Sequence, residues 1–199
     1  MDPTQFATAY ALSTSVGLRP FLTLALASLA MHFGYLHPSH PFAALGSDGA
    51  TVLLAVLAVL EFFAEKVPAV DHALHAVHFA TKPVAAAVLI GATDAALVPV
   101  GDPALGYALM GAAALNALGV HAGVAGLRGA STVTTAGIGN PFVSLIEDAL
   151  TVVATVLAIL APLAGAALAL LITIALYLLA RAVVRQLRAR TSSAKNVPG

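Results

Sequence analysis

The sequence predicts an all-α fold, a polytopic transmembrane bundle of about six spans. Composition is the first reason: of 199 residues, 60% are hydrophobic and only 9% are charged, whereas soluble globular proteins carry about 25% charged residues. The second reason is that several apolar runs approach the ~20 residues that cross a bilayer core of ~30 Å. We therefore treat 1–199 as a single integral membrane domain.

Proline and glycine divide the chain into these spans. The first apolar run, 4–36, is interrupted at Pro20, whose ring removes a backbone donor and should kink or break the helix. The other predicted spans cover 50–66, Lys82 to 98, 104–127, 141–161 and 163–180. A polar helix over 70–80 is too short to cross at 1.5 Å per residue, so it is interfacial, re-entrant or the start of a bent helix.

Two glycine-containing stretches predict further features of these spans and of their connections. In the fourth span, Gly119 and Gly123 are four residues apart, a spacing that lets helices approach closely in lipid. After that span, the run from Gly129 to Pro141 is rich in Gly, Ser and Thr. We expect this run to be non-helical in part.

The distribution of basic residues predicts the orientation. Five of the nine Lys and Arg residues lie in the tail 181–199, which the positive-inside rule assigns to the cytoplasm. An even number of spans would place the amino terminus there as well. The tail suits anionic lipid headgroups, and no nucleic-acid binding is expected.

The stretch Glu61-Phe-Phe-Ala-Glu65-Lys66-Val-Pro68-Ala-Val-Asp71 concentrates charge at the end of an apolar run. Glu61 and Glu65 are four residues apart and share a helix face, so they would repel unless Lys66, a proton or a cation neutralised them. Such carboxylates suit hard cations or proton exchange. Two alternatives remain open: a helix end at the headgroups with Lys66 snorkelling, and structural ion pairing.

The two halves of the chain, 4–98 and 104–180, resemble each other in a gapped way. Paired segments are Gly17-Leu18-Arg19 with Gly126-Leu127-Arg128, and His40-Pro41-Phe42 with Asn140-Pro141-Phe142. Each half then has acidic residues in a helix, and in the second half these are Glu147 and Asp148. Three spans per half would make the repeats inverted, as in transporters. We then expect Glu61 and Glu147 to converge, with Arg19 or Arg128 as the counter-charge.

Several of these motifs resemble a bacterial integral-membrane family, the domain of unknown function 4126. They are Glu61-x-x-x-Glu65-Lys66-x-Pro68-x-x-Asp71, then His78, Lys82-Pro83-Val84-Ala85 and Ser144-Leu145-Ile146-Glu147-Asp148. The resemblance covers roughly residues 10–160, with Glu65 where Asp is more usual and Lys82 where Arg is. It implies a location in the bacterial inner membrane.

Histidines offer a weaker signal for a metal. His72, His75 and His78 recur every three residues and so drift around a helix. Asp71 and His75, four apart, could share a metal, but two ligands make a weak site. His75 and His78 are the candidates, and a polar helix at the interface is the alternative. In the fourth span, Asn116 and His121 are expected to form interhelical hydrogen bonds.

The leading functional hypothesis is a small transporter or channel with cation or proton coupling. Its ion or substrate site would use Glu61, Glu65, Lys66, Asp71, Glu147 and Asp148. The alternative is a non-transporting membrane scaffold or lipid-binding protein, whose charges would mark the membrane surfaces. An enzyme is not expected because no constellation specifies a reaction, and no cofactor is expected. A homo-oligomer and a small-molecule substrate remain open.

Overall fold

A computed structural model describes residues 3–93 and 103–195, and every regular element within these ranges is helical. In chain order the elements are α1 (Pro3–Leu18), α2 (Pro20–His32), a 3₁₀ helix (His40–Gly46), α3 (Asp48–Ala64), α4 (Pro68–Thr93), α5 (Pro103–Thr135), α6 (Asn140–Leu160) and α7 (Pro162–Lys195). The predicted all-α class is confirmed. Two sequence-predicted features, the end of the third span at residue 98 and the last four residues of the basic tail, lie outside the described residues.

Four helices of the described part are long and apolar enough to cross a membrane: Ala73–Thr93 of α4, all of α5, all of α6, and Pro162–Arg185 of α7. A fifth is added if the 3₁₀ helix and α3, which meet at 63°, act as one broken span. This makes the chain a multi-pass membrane protein with four to five candidate spans in its described part, where the sequence predicts about six. The difference arises mainly at Pro20, which splits the first apolar run into helices of 16 and 13 residues.

The polar segment over 70–80 is the beginning of α4, not a separate helix. α4 runs for 26 residues and passes through Pro83 without a break. A proline is tolerated inside a membrane helix where neighbouring groups satisfy the backbone that it frees. Of the three readings of 70–80, the start of a longer helix is therefore the one that the structure adopts.

The connection between α5 and α6 is shorter than the sequence suggests. Of the run from Gly129 to Pro141, only 136–139 lie between the two helices. Ala136 and Gly137 turn the chain there with positive φ angles of 53° and 85°.

α1 is the central helix of the bundle. It contacts α2, α4, α5, α6 and α7, and Ala11 to Leu18 are all buried. Gly17 permits this packing, because a Cβ there would lie 2.6 Å from the Cβ of Val120 and 2.8 Å from the carbonyl oxygen of Ala117. The two glycines predicted to mediate close contact differ: Gly123 packs on Leu176, whereas Gly119 has open space around it.

We predict that Gly17→Ala lowers the stability of the bundle by about 1–3 kcal/mol, the usual cost of overpacking a closely packed site. The matched control is Gly119→Ala on α5, where a Cβ meets nothing within 4 Å. Thermal unfolding of both purified variants in one detergent makes the comparison. Equal melting temperatures for the two variants would contradict the close approach of α1 to α5.

Candidate functional site

The break between α1 and α2 is held at both ends by charged side chains. Arg19 adopts an extended conformation there (φ −137°, ψ 100°), and Pro20 has no N–H. The Lys82 ammonium donates to the carbonyl oxygen of Leu18 at 2.8 Å, and the Phe21 N–H donates to Glu61 Oε2 at 3.2 Å. A cation thus faces the carboxyl end of α1 and an anion the amino end of α2, as the two helix dipoles favour.

Arg19 points from this break into the bundle and is only 1% exposed. Its Nη2 donates to the Ser144 carbonyl oxygen at 3.0 Å and to Ser144 Oγ at 2.8 Å. Its Nε lies 2.9 Å from Asp148 Oδ1. Nη1 forms an ion pair with Glu65, and Nη2 lies 3.7 Å from Glu147 Oε2. One guanidinium therefore connects carboxylates from two parts of the chain.

Arg128 of α5 contacts two of the same carboxylates. Its Nε donates to Glu147 Oε1 at 3.1 Å and its Nη2 to Glu147 Oε2 at 2.7 Å, a bidentate pair. The same Nη2 donates to Glu65 Oε2. Arg19 and Arg128 therefore share Glu65 and Glu147, and all four side chains are buried.

Lys66 extends the network towards α6. Its ammonium donates to Ser144 Oγ at 2.7 Å and to Asp148 Oδ2 at 3.3 Å, and it lies 3.9 Å from the centroid of the Phe62 ring. The Lys66 ammonium is paired with residues of α6, and the side chains of Glu61 and Glu65 are buried. A helix end with solvated acids does not describe this arrangement.

Glu61 differs from the other acids in the kind of partner that it has. In the described part of the chain its ion pair is with His78, Oε1 to Nε2 at 3.2 Å, and no Arg or Lys forms one with it. His78 Nδ1 also lies 4.0 Å from Glu65 Oε1. Glu61, Glu65 and His78 each present one ligand atom, and these atoms all lie within 4.8 Å of one another.

Lys82 joins this cluster to further histidines. Besides the Leu18 carbonyl, its Nζ lies 3.1 Å from His121 Nδ1. The His121 ring is 5.3 Å from the ring of His75 and 6.3 Å from that of His78. The predicted interhelical role of His121 is thus observed, as is that of Asn116, which donates to hydroxyls of Ser13 and Thr14 on α1.

The structure brings most of the sequence-predicted site residues into one network. Its acids are Glu61, Glu65, Glu147 and Asp148, and its bases are Arg19, Lys66, Lys82 and Arg128. Asp71 lies on α4, but its side chain and that of His72 are outside the described part. Among described residues the clustered metal-type ligands include His78 and not His75.

Sequence reasoning did not assign Lys82 and Ser144 to the site. A signal for Lys82 was present, because it lies four residues after His78, on the same face of α4, and is a charge inside an apolar span. Ser144 carries a weaker signal: it opens the motif Ser144-Leu145-Ile146-Glu147-Asp148 and lies four residues before Asp148. Its role depends on α6 placing it beside Arg19 and Lys66.

A cavity of about 230 Å³ reaches the network from the side of α3. Its polar lining comes from Arg19, Glu61 and Asp148, and the rest is apolar: Leu22, Ala58, Val59, Phe62 and Phe63. Glu61 therefore lines both this cavity and the cluster with Glu65 and His78.

We predict that Arg128→Gln destabilises the protein by about 3–5 kcal/mol, because it leaves Glu147 buried without its bidentate partner. Adding Glu147→Gln should restore part of that loss, since the uncompensated charge is then removed. Thermal unfolding of both variants measures the effect, with Arg181→Gln on the exposed end of α7 as the control. An Arg128→Gln variant as stable as the control would contradict the pairing.

Comparison with known proteins gives one finding. The family model described as "Domain of unknown function (DUF4126)" matches residues 6–182. No curated protein and no solved structure matches the chain.

Proposed function

The chain belongs to the family of the domain of unknown function DUF4126, and we propose that it is a small membrane transporter or channel coupled to a cation or to protons. Its site is the buried network around Glu61, Glu65 and Glu147. Arg19 and Arg128 serve as counter-charges, and Lys66 and Asp148 complete the network towards α6.

The observation that carries this proposal is the burial of three acids and three bases among apolar helices: Glu61, Glu65 and Glu147, with Arg19, Lys82 and Arg128. On insertion scales a charge at a helix centre costs about 2.5–3.5 kcal/mol. Replacing buried ion pairs by apolar residues is often neutral or stabilising, so stability alone gives no reason to keep them. Ionisable side chains inside a membrane protein therefore indicate a functional site in the first instance.

The broken helix supports the same reading. Transporters commonly bind ions where discontinuous helices expose their ends. Here the break at Arg19 and Pro20 presents the amino end of α2 to Glu61 and the carboxyl end of α1 to Lys82. The ends of both helices are thus part of the ionic network.

The proposal includes two inverted repeats and six spans, with α1 and α2 as parts of one broken span. Its support is that Arg19 and Arg128, which occupy matching positions in the two halves, contact the same two carboxylates. In this arrangement the protein lies in a bacterial inner membrane with its carboxyl terminus on the cytoplasmic side.

A lipid-binding role is the second candidate, and one feature favours it. A groove of about 340 Å³ between α5, α6 and α7 is lined by apolar side chains with Glu147 among them. An acyl chain fits such a lining. The network would then anchor helices around a lipid and move no ion.

The test is ion flux into proteoliposomes. We expect the wild type to conduct protons or a cation down an imposed gradient, and Glu61→Gln and Glu147→Gln to lose that flux because each removes a charge from the network. Asp48→Asn is the matched control, since the Asp48 carboxylate is 88% exposed and lies outside the network.

Each variant is first checked for a wild-type elution profile and melting temperature. Flux that persists in both folded network variants would overturn the proposed site. No flux in the wild type under any gradient, together with lipid co-purifying in the groove, would favour the second candidate.

The topology can be tested with single cysteines, because the sequence contains none. We expect Thr4→Cys and Ser193→Cys to react with a membrane-impermeant maleimide only after cells are opened, since an even number of spans puts both ends in the cytoplasm. Reaction of the two positions from opposite sides would contradict six spans.

A further inference from the structure

We propose that Glu61, Glu65 and His78 bind a first-row divalent metal ion such as Zn²⁺ or Fe²⁺. Metal binding at these residues does not depend on the proposed function. That the bound metal is the transported or sensed cation does rest on that function, and in this respect the inference deepens it. The ligands come from the end of α3 and the middle of α4, beside the break between α1 and α2.

The geometry of the pair Glu61 and His78 is the first support. Both are buried, and His78 is only 1% exposed. Glu61 Oε1 and His78 Nε2 face each other at 3.2 Å, yet neither atom makes a hydrogen bond of acceptable geometry. A separation of ~3.3 Å is what two ligands of one tetrahedral metal ion have at bond lengths of about 2.0–2.1 Å.

The surrounding contacts leave one oxygen of each carboxylate facing the His78 imidazole, Glu61 Oε1 at 3.2 Å from Nε2 and Glu65 Oε1 at 4.0 Å from Nδ1. Glu61 accepts from the Phe21 N–H through Oε2, which leaves Oε1 directed at His78. Glu65 is held by Arg19 and Arg128 through Oε2, which leaves Oε1 on the side of His78. Carboxylates that ligate metals are typically fixed in this way by hydrogen bonds to the oxygen that does not bind.

Charge and donor type indicate which ions would bind. Glu61 supplies a carboxylate that no Arg or Lys of the described residues pairs with, and Glu65 adds a carboxylate oxygen beside it. An imidazole nitrogen suits Zn²⁺, Fe²⁺, Ni²⁺ and Cu²⁺, whereas all-oxygen sites suit Mg²⁺ and Ca²⁺. The mixed set therefore favours a first-row metal over the hard cations that the carboxylates alone suggest.

An entry path is present on the α3 side. The cavity of about 230 Å³ is lined by Glu61, Arg19 and Asp148 and otherwise by apolar residues. Three protein ligands leave a position open for water or for release of the ion, as in non-structural zinc sites. The cavity thus reaches one ligand of the site, Glu61, and the coordination is incomplete, as a transported ion needs.

Metal binding is measured on the full chain in detergent after treatment with chelator. Zn²⁺ is titrated by calorimetry and Co²⁺ by visible absorption. We expect one ion per chain, with affinity reduced at least about 100-fold in His78→Gln and in Glu61→Gln, since losing a ligand should cost no less than losing an outer-shell partner. His32→Gln, outside the cluster, should bind like the wild type.

X-ray absorption of the Zn²⁺-loaded wild type identifies the ligands without depending on whether the variants fold. We expect one imidazole nitrogen and oxygen ligands, at about 2.0–2.2 Å. No binding by the wild type, several imidazoles in the spectrum, or binding unchanged in folded His78→Gln would each overturn the inference.

The results also separate this inference from the proposed function. Zn²⁺ binding without flux of any ion would leave the site in place and remove the transport role. Proton flux that needs Glu61, without binding of Zn²⁺ or Co²⁺, would overturn the metal site and support proton coupling.

Discussion

The rest of the structure depends on the sharing of two buried carboxylates, Glu65 and Glu147, by two buried guanidiniums, Arg19 and Arg128. These ion pairs link α3, α5 and α6 to the break after α1. In a medium of low dielectric constant, removing one member leaves an uncompensated charge. The helices are therefore held in register by electrostatics at the site and by close packing elsewhere, as at Gly17.

The broken first helix makes this sharing geometrically feasible. A continuous helix would satisfy its own carbonyl and amide groups and would keep the Leu18 carbonyl from Lys82 and the Phe21 amide from Glu61. Pro20 interrupts that ladder. As a result of this break, Lys82 contacts the carboxyl end of α1 and Glu61 the amino end of α2. Arg19 enters the bundle at the same place.

Within the network, Glu61 and His78 differ from the Arg-bound acids. Glu65 and Glu147 are paired with permanently charged guanidiniums, and Glu65 has only Oε1 left on the side of His78. Glu61 is paired with the imidazole of His78 and with no Arg or Lys of the described residues. A mainly apolar cavity also has Glu61, Arg19 and Asp148 in its wall, so the pair of Glu61 and His78 lies beside this cavity.

The sequence by itself determined the class of the protein. Its low charge and long apolar runs predict membrane helices, and Glu61, Glu65, Glu147 and both arginines stand out because charges are rare in such runs. The sequence did not determine the span count, since local patterns do not show how a 13-residue helix after Pro20 packs.

Only the tertiary structure decided which charges meet. Lys82 belongs to the site because α4 passes through Pro83 without ending, and Ser144 because α6 faces Arg19. His78 rather than His75 clusters with Glu61 and Glu65, because its position around the axis of α4 places it on the side of α3. Periodicity places residues on a face of a helix, but which neighbour that face meets depends on packing between segments far apart in the chain.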